Sequence, residues 1–220
     1  MEQSVSITSL AYGLRVLRGT IGFILSKCKL EYKYALLDNE KLQKAKIEAA
    51  REGDLPFVST NDVITSWFMN QVQSASGGMA VNYRNKLDGY TDMDVGNYEN
   101  HVYYRKEDYA SPALIRKSLS KYRRVVTADQ KPPGFHRIIF EDEATISNWV
   151  SFAKPLDIQD CEQELHIPIF FGDVHPTSVP LLYIFRASKD KIGLVHFTVG
   201  KVNHLEHCPF LDQKISYLKC

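Results

Sequence analysis

The sequence predicts an α/β (α+β) protein, a mixed β-sheet with helices packed on it. Helical and strand periodicities are interleaved along the chain rather than segregated. Strand runs are β-branched or aromatic, and helical runs open on capping residues. Turn residues divide these runs at short intervals, with no shift of composition, repeat or low-complexity tract. Residues 30–220 therefore read as one unit behind a basic, amphipathic lead or linker of residues 1–29.

Tyr32, Tyr34 and Leu36 alternate with charged or small residues, the period of a strand. Asp38-Asn39 then offers a cap for a helix through Leu42, Ala45, Ile47, Ala49 and Ala50 that ends near Gly53. After the loop "EGDLP", the stretch "PFVSTNDVITSWF" opens a second helix from Asp62 to about Gln73. Asn61 or Asp62 is its expected cap, and Val63, Ile64, Trp67 and Phe68 fill its first turns. "SASGG" (Ser74 to Gly78) breaks it.

"MAVNYRNKL" (Met79 to Leu87) alternates like a buried strand, and a Gly- and Asp-rich loop leads to a strand at His101 to Tyr104. Ser111 caps a third helix with Pro112 at its first position, where a missing N–H costs nothing. Ile115, Leu119 and Tyr122 line one face of it. "DQKPPGF" is a turn. Four strand runs follow, "HRIIFED", "ATISNWVSF", "SVPLLYIFRA" and "KIGLVHFTVG", with "SKDKIG" turning between the last two.

At 220 residues the chain can bury a real core, and its net charge of +1 excludes an electrostatic nucleic-acid binder. Cys28, Cys161, Cys208 and Cys220 lie far apart with no CxxC pair, so the expectation is a reduced, cytoplasmic protein. The apolar centre of the lead, Thr20 to Leu25, is far shorter than the roughly 20 residues that span a bilayer. No cleavage pattern follows Leu25. A core helix or linker is preferred there over a membrane-surface contact by residues 15–29.

Taken in order, these runs resemble the C-terminal half of the CoA-dependent acyltransferase superfamily. That group includes the BAHD acyltransferases, and the condensation domains of peptide synthetases share its fold. The resemblance is carried by "YKYALLDNEKLQKAKIEA", "VSTNDVITSWF", the Asn-x-Arg strand "MAVNYRNKL", "VGNYENH", "SPALIRKSLSKYRR" and "ISNWVSF". It covers about residues 30–200, with "VSTND" as its best single motif.

The resemblance implies a two-lobed enzyme with a tunnel between the lobes, acyl-CoA as co-substrate and a small-molecule acceptor. A His-His-x-x-x-Asp motif in the N-terminal lobe would supply the base, since a neutral imidazole is the usual base near neutral pH. The seven histidines here, His101, His136, His166, His175, His196, His204 and His207, form neither HHxxxD nor HxxxD. No catalytic residue is therefore assigned to this chain, and no covalent cofactor. Its expected partner is an N-terminal lobe, or a second copy of itself covering the inter-lobe face. Because the likeness begins in mid-fold, the expectation is that Met1 is not the native start.

The resemblance also assigns roles. Arg84, with Asn82 beside it, would pair with the Asp of the missing motif, a bidentate contact that fixes that carboxylate. Without the resemblance, Arg84 reads as a surface arginine at a strand end. The family's second arginine stands where Lys86 does, so that contact is not carried over. Ser59, Thr60, Asn61 and Asp62 read as a cap and wall-forming turn, and capping alone, worth about 1 kcal/mol, explains their types. Asn97 either reaches the tunnel or is a plain Gly-Asn turn residue. Trp149 is expected in the core with its edge on the tunnel. The Asp-Phe-Gly-Trp-Gly motif of BAHD enzymes is absent from "AKPLDIQDCEQELHIP", which points to a distant branch.

"HLEHC" brings His204, His207 and Cys208 close in sequence, but no second cluster supplies metal-ligand spacing, so no metal is assigned. Cys161 and Cys208 lack the local setting of a nucleophile. "YYRKEDY" mixes acidic residues among its tyrosines and is a better solvated sheet edge than a base-stacking platform.

Overall fold

Alternation decides which side of each strand is covered. In β7 (Leu181–Arg186), Leu182 and Ile184 turn to one core, while Leu181, Tyr183 and Phe185 turn to another. β8 (Ile192–Val199) repeats the division, with Leu194 on the first side and Val195 and Phe197 on the second. A computed structural model provides the structure. It describes residues 14, 17–21, 30–74, 76–82, 84, 89, 91, 93, 99–120, 123, 124, 143–152, 158–161, 163–168, 180–199 and 203–212.

Among these, β1 (Leu30–Leu36), β2 (Ser76–Asn82), β3 (Glu99–Arg105), β6 (Glu143–Asn148), β7 and β8 form a six-stranded sheet ordered β1-β8-β7-β6-β2-β3. β2, β6 and β7 run parallel, and antiparallel pairs flank them. The sheet is mixed, as the sequence predicts. β4 (Leu119–Ser120) and β5 (Arg123–Arg124) form a separate two-stranded ribbon.

The helices cover one side of the sheet. α1 (Asn39–Glu52) is capped by Asp38, whose Oδ1 accepts from the N–H groups of Glu40 and Lys41 at 2.9 and 3.1 Å. α2 (Thr60–Val72) lays Val63, Ile64, Phe68 and Met69 into the main core. α3 (Lys106–Tyr109) and α4 (Pro112–Ser118) follow β3, and Ser111 caps α4 by accepting from Leu114 N–H. A short 3-10 helix, His204–His207, adds Leu205, and Cys208 beside it is buried in the same core. A smaller core of Tyr34, Leu36, Phe185, Ala187, Val195 and Phe197 lies on the opposite face.

Four local expectations are corrected. Ser59, rather than Asn61 or Asp62, caps α2, because Ser59 is extended (φ −88°, ψ 161°) while Asp62 sits at the third helical position and reaches back. The helix ends at its C-cap Gln73 as expected, but the next strand, β2, begins at Ser76 rather than Met79, with Gly77 directly beneath Met69, whose side chain occupies the space a Cβ would need. That strand ends at Asn82, short of Leu87. Leu119 does not extend the helical face of Ile115, because the chain turns extended there (φ −94°, ψ 115°) and joins β4. Tyr122, "HRIIFED", Lys86 and Asn97 lie outside the described residues. Residues 17–21 of the lead are helical, with Leu17 and Ile21 exposed. Among the described residues no helix is long and apolar enough to cross a membrane.

Candidate functional site

The N-terminus of α2 meets the carboxyl ends of the parallel strands, where open α/β sheets most often bind ligands. The cap is a complete capping box. Asp62 N–H donates to Ser59 Oγ at 3.2 Å, and Asp62 Oδ2 accepts from Ser59 N–H at 2.8 Å. Asp62 is wholly buried, and Arg116 of α4 neutralises it, its Nε and Nη2 reaching Oδ2 at 2.7 and 2.5 Å. Nη2 also donates to Ser59 Oγ at 2.9 Å. The other carboxylate oxygen, Oδ1, has no hydrogen-bond partner among the described residues.

Asn61 links α2 to the sheet. Its Oδ1 accepts from Asn148 Nδ2 at 3.1 Å, and its own amide group donates to Met79 Sδ at 2.8 Å. Asn148 is held in turn, because its Oδ1 accepts from Val150 N–H at 3.0 Å. The two asparagines lie at one end of a cavity of about 570 Å3. Ile47, Phe57, Val150 and Ile192 give it apolar walls, with Lys46, Gln43 and Thr60 as polar groups on its lining. Such a mixture suits a ligand with an apolar body and polar or anionic parts.

Of the residues singled out in the sequence, Ser59 and Asn61 line this cavity, together with Thr60. Asp62 presents no surface to it, being fully buried against Arg116. Trp149 lies apart on the opposite face of the sheet. Its Nε1–H donates to Ser147 Oγ at 2.9 Å and its ring meets Tyr183 edge-on at 4.5 Å. Tyr183 continues to Phe197 (5.3 Å), and Phe197 to Tyr32 (4.9 Å), an aromatic row across four consecutive strands or strand ends. Arg84 is half-buried just beyond β2, and its N–H donates to Asn82 Oδ1 at 3.0 Å. Arg116, Asn148 and Lys46 were not singled out by the sequence. The Ser-x-x-Asp spacing of the capping box was readable, but its partner Arg116 is remote and carries no local signal.

Three titratable groups lie away from the cavity. His196 of β8 is fully buried between Phe68 of α2 and His204, with ring centroids 5.6 and 5.2 Å away. Neither of its ring nitrogens has a hydrogen-bond partner among the described residues. Burial foremost, then the charges of His204 and Lys33, lowers its pKa to about 3. Burial also lowers that of His204, helped by His207. The Cys208 thiol is pushed up to about 12 by burial, the opposite of an activated nucleophile. Among the described residues, no group of three or more His, Cys, Asp or Glu is arranged to hold a metal.

No protein-family profile and no curated protein matches the chain. Solved structures do. TRI101 of F. sporotrichioides, crystallised with coenzyme A and T-2, matches at 15% identity and a TM-score of 0.47, over 81% of this chain and 48% of its own. Vinorine synthase matches at 12% identity and a TM-score of 0.45, over 83% of this chain and 48% of its own. A probable dihydrolipoamide acetyltransferase from Listeria monocytogenes 4b F2365 matches at 9% identity and a TM-score of 0.40, over 90% of this chain and 85% of its own. The chain thus spans about half the length of the first two.

Proposed function

We propose that this chain is the C-terminal lobe of a CoA-dependent acyltransferase, forming one wall of the tunnel in which an acyl group passes from acyl-CoA to an alcohol or amine. The observation that carries the reading is the Asn148–Asn61 hydrogen bond at 3.1 Å. It joins "VSTND" to "ISNW", two segments of the resemblance that are remote in sequence, at the lining of one cavity. In this reading Ser59, Thr60 and Asn61 form the wall, and Asp62 holds its shape from behind. Asn97 borders the tunnel elsewhere, and Trp149 backs the wall from the opposite face of the sheet. Arg84, set at the end of β2 by Asn82, fixes the carboxylate of the HHxxxD motif on the partner lobe. The base belongs to that lobe, and this chain supplies enclosure and orientation.

Titration calorimetry of the full chain with coenzyme A tests the reading. Binding is expected, and Thr60→Trp, which fills the cavity, should weaken it at least about tenfold with an unchanged melting temperature. Absence of binding, or binding indifferent to Thr60→Trp, overturns it.

The missing histidine motif favours a second reading, a catalytically inactive binding protein that keeps the lobe as a scaffold and covers its inter-lobe face with a second copy. A tight oligomer in solution that binds coenzyme A without turnover, and that gains no transferase activity with any HHxxxD-bearing lobe, would select it.

A further inference from the structure

One guanidinium touches the α1–α2 connection at two residues and the first turn of α2 at a third. Arg116 forks onto Asp62 Oδ2 at 2.7 and 2.5 Å and donates to Ser59 Oγ at 2.9 Å. Its Cζ lies over the Phe57 ring, 4.7 Å from the centroid. Phe57 lines the cavity yet is 56% exposed, so the protein core does not fix its ring. Arg116 contacts Phe57 two residues before the cap, the cap itself and the carboxylate behind it, while no residue of α4 lines the cavity.

We propose that Arg116 is the positioning residue of this cavity, holding Phe57 and Ser59 against buried Asp62 and thereby setting the opening that a ligand enters. Planarity is essential to the role. A guanidinium can fork onto a carboxylate and stack on a ring at once, whereas an ammonium offers a point charge without a flat face. The part of the proposal that concerns ligand affinity rests on the reading of the cavity as a coenzyme A site. The part that concerns Phe57 does not.

Arg116→Lys keeps a cation beside Asp62 and removes the fork. The double variant Asp62→Asn/Arg116→Leu removes both charges, so that neither is left buried and unpaired. The full chain is labelled with fluorophenylalanine, and the Phe57 resonance is assigned by its loss in Phe57→Leu. The other labelled rings, among them buried Phe68, Phe185 and Phe197, serve as internal controls. In both variants the Phe57 resonance should move to its solvent-averaged position while the three core resonances stay. Coenzyme A affinity should fall about tenfold in Arg116→Lys at a similar melting temperature. An unmoved Phe57 resonance, or all resonances moving together, overturns the proposal. So does wild-type affinity in Arg116→Lys. If the wild-type chain binds no coenzyme A, the reading of the cavity falls, and the Phe57 resonance alone decides on Arg116.

Discussion

Asp62 shows how much one side chain can be asked to do. It closes the capping box, neutralises Arg116 and is fully buried while doing both. Asp62→Ala removes the reciprocal half of the capping box and the ion pair together, and should cost about 3 kcal/mol in urea unfolding. Asp62→Asn keeps an oxygen for the Ser59 N–H and should cost less, so the difference between the two variants reports on that return hydrogen bond of the capping box. The cap chemistry of "STND" was legible because it depends on neighbours three residues apart. Which residue is the cap was not, since Ser59, Thr60, Asn61 and Asp62 are all competent and backbone angles decide. The ion pair was illegible for a different reason: residues 62 and 116 meet only when α4 packs on α2.

The helices could be read at the scale of elements because their signals are local: Asp38 before α1, Ser111-Pro112 before α4, an apolar stripe within α2. Strand positions were legible from alternation, but strand order was not, because nothing within β6 says that it lies between β2 and β7. The tight seat of α2 on the sheet could not be read for want of that order. Gly77 follows the end of the helix, and its second role, a strand residue with no room for a Cβ, shows only when Met69 is placed over it. Gly77→Ala should destabilise the fold by about 1–3 kcal/mol in thermal or urea unfolding, an overpacking cost. In a Met69→Ala background the same substitution should cost much less, and a double-mutant cycle reads that coupling directly.

Acid sensitivity belongs to the whole molecule, because sheet, helix and the C-terminal 3-10 turn all enclose His196. Lys33 faces it from β1, Phe68 from α2, and His204, with His207 behind, from the 3-10 helix. Its folded pKa of about 3 lies below the ordinary value of 6.5, so between these values the unfolded chain binds the extra proton. Stability is therefore full above about pH 6.5 and declines as pH falls toward 3, at a limit of about 1.4 kcal/mol per pH unit for one such group. His196→Leu should show a shallower loss between pH 6.5 and 4.5 when urea midpoints are compared with wild type. Parallel slopes would show that His196 does not govern it. The fold class and most core positions could be read from pattern, whereas this enclosure and the cavity are products of tertiary assembly.

The sheet joins its first strand to its last, Leu30 opposite Val199 through Leu36 opposite Gly193. On the ribosome, β1 emerges before the other described strands of the sheet and waits without its partner while they are made, at about 5–20 residues per second. Until β8 clears the exit tunnel, β1 and β7 each have a bare edge where β8 will later lie. Closure of the sheet is thus a late event in the synthesis of these strands, and a product stalled or terminated before β8 would carry two further unpaired strand edges, on β1 and β7, for chaperones to shield.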